Sequence, residues 1–150
     1  MGLFDALDAS GSGLSAERVR MDVTAENLAN AQSTRTANGQ GPYRRKEVVL
    51  QQAGGVGSFG SALTVAMGRG SASQVSGVQV SGIVEDQTAL KRIYDPGHPD
   101  ADKNGYVTMP NVNTVTEMTD LIGASRAYEA NVTAMQTTKS MFARTLDILK

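Results

Sequence analysis

Toward the end of the chain, Leu121, Tyr128, Met135, Phe142 and Leu149 recur every seven residues, and Met118, Val132 and Leu146 fall three residues before members of that series. A seven-residue apolar repeat with a second apolar position inside it marks a helix that packs along a coiled-coil seam. The run opens with Thr114 and Glu117 in capping-box spacing after Pro110, carries Asp120 near its start, and closes with Arg144 and Lys150. This charge order suits a helix dipole. A single helix from Thr114 to Lys150 would be about 55 Å long, more than a compact domain of this size can cover. Part of its seam must therefore meet another helix or another chain.

The other end of the chain has a matching stripe. Leu7, Leu14, Met21 and Leu28 are also seven apart, with Phe4, Gly11 and Ala25 at intermediate positions, so a second helix is expected from about Leu3 to Asn30. Its weak point is Gly11 and Gly13, each costing about 1 kcal/mol relative to Ala in a helix interior. Ala29, Gly123, Ala124, Ala127, Ala130 and Ala134 would let helix backbones approach closely. Two arrangements are open at this point: the helices pack on each other inside one domain, or they complete their burial between molecules.

Between the helices the period changes to two. Tyr43 to Gln52 reads as a strand, and Val78, Val80 and Val84 share one face of another with Gln79, Ser81 and Glu85 opposite. Leu90 to Tyr94 and Tyr106 to Met109 supply short further strands. Asn38-Gly39, Asp95-Pro96-Gly97 and Asn104-Gly105 are turn sequences between them. From Gly54 to Gly77, seven residues are Gly and five are Ser, which marks a long loop with a short apolar piece at Leu63 to Met67. The expected fold class is α+β: long N- and C-terminal helices form a coiled-coil-like pair or bundle, with a small antiparallel β unit between them. The segments are 1–34 (N-terminal helix), 35–110 (β-rich unit with loop 54–77) and 111–150 (C-terminal helix).

Composition narrows the functions open to such a chain. Only 40% of the 150 residues are apolar and 5% aromatic, a thin supply of core: either part of the chain is unpacked when alone or burial is completed by neighbours. The net charge of -1 argues against nucleic-acid binding, which needs a clustered positive surface. Arg44-Arg45-Lys46 is the one basic run, and beside a strand it reads as a solvated or edge-protecting face. Without cysteine there is no disulfide framework, thiolate nucleophile or Cys-rich zinc site. Residues 1 to 10 lack a basic segment followed by an apolar one, so no secretory signal peptide is expected, and no stretch reaches transmembrane length.

Three motifs imitate ligand sites. Gly55-Val56-Gly57-Ser58-Phe59-Gly60 fits GxGxxG, but Gly68, Gly70, Ser71 and Ser73 interrupt the helix that should follow, and too few strands exist for a doubly wound sheet. Asp100 to Gly105 matches the first half of an EF-hand loop, yet the twelfth place is Asn111 and Pro96, Pro99 and Pro110 oppose flanking helices. An Asp/Asn-rich turn is the preferred reading. His98, the sole histidine, lacks the companions of a zinc set. No carboxylate pair can be assigned acid and base roles, so the expectation is no enzyme, no cofactor, no metal and no small-molecule substrate.

Ser12-Gly13-Leu14-Ser15-Ala16, Arg20-Met21-Asp22-Val23 and Asn27-Leu28-Ala29-Asn30-Ala31 through Thr34 resemble the N-terminal signature of bacterial flagellar axial proteins. Ser125-Arg126-Ala127-Tyr128-Glu129-Ala130-Asn131-Val132 and Thr138-Lys139-Ser140-Met141 resemble the C-terminal signature of the same family. Gly82 to Asp86, Tyr94 to Asp102, Gly105-Tyr106-Val107 and Pro110 to Asn113 are similar to its proximal-rod type. Glu26 departs from the Asn often found before Asn27, and the loop from Gly54 to Ser76 matches no family block.

The resemblance implies a structural subunit of the flagellar basal-body rod that transmits torque, exported through the flagellum's own type III apparatus without a cleaved signal and assembled across the periplasm. It implies that the terminal helices build an inner tube with the β unit outside. The expected partners are other copies of the chain, other rod proteins and the export apparatus, with no nucleic acid and no direct membrane insertion. A self-contained coiled-coil adaptor, or a distal rod or hook subunit, is the alternative. The expected assembly seam is Leu7, Leu14, Met21, Leu28, Met118, Leu121, Tyr128, Val132, Met135, Phe142, Leu146 and Leu149, with Asn27, Asn30 and Asn131 as polar contacts that fix register.

Overall fold

A computed structural model describes residues 3–36, 41–53 and 77–148. Leu149, the Asn38-Gly39 turn, the GxGxxG stretch and the apolar piece at Leu63 to Met67 lie outside the described residues. The elements run α1 (Leu3–Ala29), β1 (Lys46–Gln52), β2 (Val78–Glu85), β3 (Lys91–Tyr94), β4 (Tyr106–Met109) and α2 (Thr114–Ile148). Two long helices with small antiparallel sheets between them make the chain α+β.

Local chemistry sets the boundaries of α2. Asn113, not Thr114, caps its start: Asn113 Oδ1 accepts the Val115 N–H at 3.1 Å and its carbonyl accepts the Glu117 N–H at 3.0 Å. The expected capping box is absent because the Glu117 carboxylate is drawn elsewhere, as described below. Along α2, Thr119, Thr133, Thr137, Thr138 and Thr145 return their hydroxyls to the carbonyl four residues back, which satisfies polar side chains that would otherwise compete with the helix.

Among the described residues the strands form two separate two-stranded sheets, β1 with β2 and β3 with β4, where the period-two pattern suggested one unit. β1 and β2 run antiparallel, bracketed by Asp86 N–H to Arg45 O at 2.8 Å and Ala53 N–H to Gly77 O at 2.7 Å. The alternation along β2 does not produce a buried face: Val78, Ile83 and Val84 are exposed and only Val80 is half-buried. A two-stranded ribbon offers too little surface to bury a full row. β1 also starts later than the sequence suggests: the Arg45 N–H goes to Asn111 Oδ1, and the side chains of Tyr43 and Arg44 bond to Asn27 and the Asp86 carbonyl.

The β3–β4 hairpin pairs Lys91 with Met109, Arg92 with Thr108, Ile93 with Val107 and Tyr94 with Tyr106. Its loop is an Asx-type turn: Asp102 Oδ1 accepts the N–H groups of Asn104 (2.8 Å) and Tyr106 (3.0 Å). Gly105 takes φ 79°, a conformation that side chains resist, and a Cβ there would sit 2.9 Å from the Tyr94 ring. Tyr94 and Tyr106 meet edge to face at 5.3 Å, and Arg92 lies over Tyr106 while pairing with Asp102.

Close contacts group the chain into two compact units, one of Met1–Arg18, Val49–Gly82 and Ser125–Lys150, the other of Val19–Val48 and Ile83–Ala124. Among the described residues the second unit holds almost all of the core: Val23, Tyr43, Val107, Val112 and Ala124. The first contributes Ala16.

Candidate functional site

In the second unit, the helices are joined by a buried polar clasp. Asn27 and Glu117 are each 1% exposed, a burial that polar groups tolerate only when fully bonded. Asn27 Nδ2 donates to Lys46 O (2.8 Å) and to Glu117 Oε2 (3.0 Å), while its Oδ1 accepts Tyr43 O–H and Lys46 N–H, both at 2.9 Å. The other Glu117 oxygen accepts Arg45 Nε at 2.6 Å. One amide thus ties α1, the entry to β1 and α2 together.

The basic run is the counterpart of this clasp and not a free surface. Arg45 also lies 3.7 Å from both Glu47 and Asp120, and Lys46 pairs with Glu26 at 2.6 Å while resting over the Tyr43 ring. Asn111 holds the next segment by accepting Arg45 N–H (2.8 Å) and donating to Asp86 O and Thr88 Oγ1. Burial, then the negative charges of Glu26, Glu117 and Glu85, push the Tyr43 phenol up to about 12. It therefore stays a donor to Asn27. The bond to Glu117 holds the Arg45 guanidinium above its ordinary range.

A second, more exposed tie fastens the segment after α1. Thr34 Oγ1 donates to Asp100 Oδ2 at 2.6 Å and Arg35 pairs with the other oxygen. The Thr34 bond, followed by Arg35 and His98, lowers the Asp100 carboxyl below its usual range. The EF-hand-like residues are thus committed: Asp100 to Thr34 and Arg35, and Asp102 to two amides and Arg92. His98 Nδ1 accepts the Asp100 N–H. Among the described residues no group of three or more His, Cys, Asp or Glu is placed to hold a metal ion, and no helix is long and apolar enough to cross a membrane.

In the first unit α1 and α2 meet differently. A Cβ on Gly11 would lie 3.8 Å from Met135 Cε, and one on Gly13 would lie 3.0 Å from Asn131 Nδ2. As α1 advances from Gly11 to Gly13, its partner on α2 moves back from Met135 to Asn131, so the pair is antiparallel. The two glycines that looked like defects in a helix are contact points: a Cβ at Gly11 would just touch Met135, and one at Gly13 would crowd Asn131. Ser12 between them accepts Val78 N–H at 3.0 Å and donates to Ala9 O, and a Cβ at Gly77 would collide with the Ser12 hydroxyl.

The candidate seam is only partly covered within the chain. Leu7, Leu14, Met21, Leu28, Leu121, Tyr128, Val132 and Met135 are half-buried, while Met118, Phe142 and Leu146 are exposed. Full burial on α2 falls instead on Glu117 and Ala124, seven residues apart, with Asn131 continuing the series half-buried. Asn27 is central to the clasp, Asn131 packs against Gly13, and Asn30 donates to Glu26 O at 2.9 Å. The sequence reading missed Arg45, Glu117 and Tyr43. The available signal was Glu117 itself, a carboxylate in the heptad series with Ala124 and Asn131.

Known proteins match this chain from end to end. The flagella basal body rod protein family model covers residues 7–35, and the flagellar basal body rod FlgEFG protein C-terminal model covers residues 103–148. The flagellar basal-body rod protein FlgC of Bacillus subtilis is 48% identical over the full length of both chains. The protein of that name from Borreliella burgdorferi is 43% identical, covering 100% of this chain and 99% of its own. The one from Salmonella typhimurium is 42% identical, covering 99% of this chain and 98% of its own.

Proposed function

Because the chain belongs to the family of the flagellar basal-body rod protein FlgC, we propose that it is a structural subunit of the bacterial flagellar rod, of the proximal-rod type. It acts by packing and not by catalysis. The observation that carries this reading is the combination of full-length similarity to rod proteins with two long helices whose shared seam is left half-covered. A surface of that kind is completed by neighbours, and unlike patches that meet between identical copies generate an open helical array.

In this reading the segments 1–34 and 111–150 form the inner tube of the rod and 35–110 lies outside it. Torque passes through the packed helices, and partners are further copies and other rod proteins. The chain reaches the basal body through the type III export apparatus without a cleaved signal and spans the periplasm as part of the rod. A seam that stays open until neighbours arrive also disfavours polymerisation before export, since ordering flexible helix ends costs about 1 to 2 kcal/mol per residue of backbone entropy.

Deleting the gene in the bacterium that makes the chain tests the proposal, with isolated basal bodies imaged by electron microscopy. Loss of the rod, restored by the intact gene, is the expected result. Motile cells with complete rods would overturn it. Hydrogen exchange on the purified chain should show slow amides around Asn27 and Glu117 and fast ones from about Ser140 to Ile148.

A further inference from the structure

The buried clasp uses one side of each helix, and the opposite sides carry two unlike exposed faces. On α2, Val115, Met118 and Ile122 are 71%, 52% and 54% exposed, and the exposed Arg126 and Glu129 follow on the same side. At 3.6 residues per turn, Ile122 lies about 140° round the helix from Glu117. On α1 the exposed side is made by Ala29, Ala25, Asp22 and Arg18, with Ala25 about 160° round from Asn27.

Each face is a row that steps by three or four residues along one unbroken helix. The α2 row is a ridge of large apolar side chains that leads into a base and then an acid. The α1 row, taken from its C-terminal end, is a pair of alanines one turn apart that leads into an acid and then a base. Among the described residues, none of these four charges is in an ion pair of the chain. The two rows are therefore complementary in shape and in charge: bulk against bare helix surface, and opposite signs in matching order.

We propose, resting on the rod-subunit reading above, that the Met118–Ile122 ridge of one copy docks antiparallel on the Ala25–Ala29 face of a second copy. In a single register Met118 meets Ala29, Ile122 meets Ala25, Arg126 meets Asp22 and Glu129 meets Arg18. A slip of seven residues in either direction removes both ion pairs, and in one direction it sets Met118 on Asp22 and Ile122 on Arg18. A parallel arrangement that keeps Arg126 on Asp22 also sets Ile122 on Arg18. Mismatches of this kind select one alignment against the others. The contact is intermolecular, because α1 and α2 of one copy already meet through Asn27 and Glu117, and two helices joined by their inner sides cannot bring their outer sides together.

Because the faces differ, the contact is heterologous, and each copy that docks presents a fresh ridge and a fresh alanine face to the next. About three turns of helix bury well below the roughly 1,600 Å² of a standard stable interface. The contact is therefore weak between two free copies and consolidates only in an array.

The absence of cysteine allows a direct test. Ile122→Cys and Ala25→Cys are made separately in the full chain, co-expressed in the native bacterium, and mildly oxidised in isolated basal bodies. In parallel, the purified variants are mixed at high concentration, so the docking contact is read even if the chain does not enter rods. Mixed disulfide between the two variants should exceed either homodimer by at least about tenfold, since disulfide geometry tolerates little misplacement. Adding Arg126→Asp to the Ile122→Cys chain should cut the mixed adduct by about fivefold, and Asp22→Arg on the Ala25→Cys chain should restore it; failure of the swap to restore it would overturn the register. An Ile122→Cys homodimer of equal yield would overturn the proposal in favour of a two-fold contact. An Ala25→Cys adduct with a different protein would overturn the second-copy assignment. Rods that contain both variants and give no adduct would overturn the contact while leaving the rod reading intact, whereas the mixed adduct from purified chains that never enter rods would uphold the contact and overturn that reading.

Discussion

The same two helices are joined in contrasting ways in the two units. In the second unit, Asn27 and Glu117 sit fully buried in a set of directional bonds shared with Tyr43, Arg45 and the Lys46 backbone. In the first, Gly11 and Gly13 bring α1 close to Met135 and Asn131, with Ala16 as the buried apolar residue. Polar bonds in a dry site tolerate only one alignment, because any slip leaves a buried donor or acceptor unmade. Close glycine contacts permit approach but penalise a slip much less. One end of the helix pair is thus fixed in register by directional bonds, and the other is held by contacts that penalise a slip less.

The largest effect should come from breaking the clasp. Glu117→Ala leaves Arg45 and Asn27 without their shared acceptor, and loss of one partner from a buried ion pair costs about 3 to 5 kcal/mol; with Arg45 partly in contact with water, about 3 is expected. Urea unfolding of the purified chain measures it, and a loss below about 1 kcal/mol would mean that the clasp is ornamental.

Met135→Asp probes the other end. A carboxylate in a half-buried seam position should cost about 1 to 2 kcal/mol yet prevent incorporation into rods, with the β3–β4 hairpin intact by NMR. Normal rods carrying the variant would count against the seam.

Tyr43 sharpens the comparison through pH. Its folded value is raised to about 12 from an ordinary 10.0, so the stability it contributes is complete below pH 10 and is lost as pH rises toward 12. Tyr43→Phe should lower stability at neutral pH by about 1 kcal/mol and flatten the alkaline slope of the urea midpoint; equal slopes for both proteins would refute the assignment.

The smallest change is expected for Gly13→Ala. Better helix propensity of about 1 kcal/mol is offset by crowding of Asn131 Nδ2 at 3.0 Å, so the two should nearly cancel. A gain of the full propensity term would show that Gly13 is not a contact point.

Much of the fold was legible because it rests on local rules. Among the described residues, the heptad stripes marked the two long helices to within a few residues, period-two runs marked the four strands, and Asn104-Gly105 marked the turn where Gly105 adopts φ 79°. The clasp was far less legible. Its members Asn27, Tyr43, Arg45 and Glu117 are scattered over ninety positions, and each has an ordinary local explanation: a register Asn, a strand residue, a surface base and a capping-box acid.

Periodicity alone settles which side of a helix is apolar, since side chains recur at 3.6 residues per turn whatever surrounds them. The sequence by itself therefore determined two striped helices, four short strands and the family to which they belong. Only the tertiary structure decided that Gly11 and Gly13 are contacts, and that Glu117 serves Arg45 and Asn27 in place of its own helix end. Those outcomes depend on which groups meet across long stretches of chain, where the desolvation of a buried carboxylate outweighs the modest gain of a local cap.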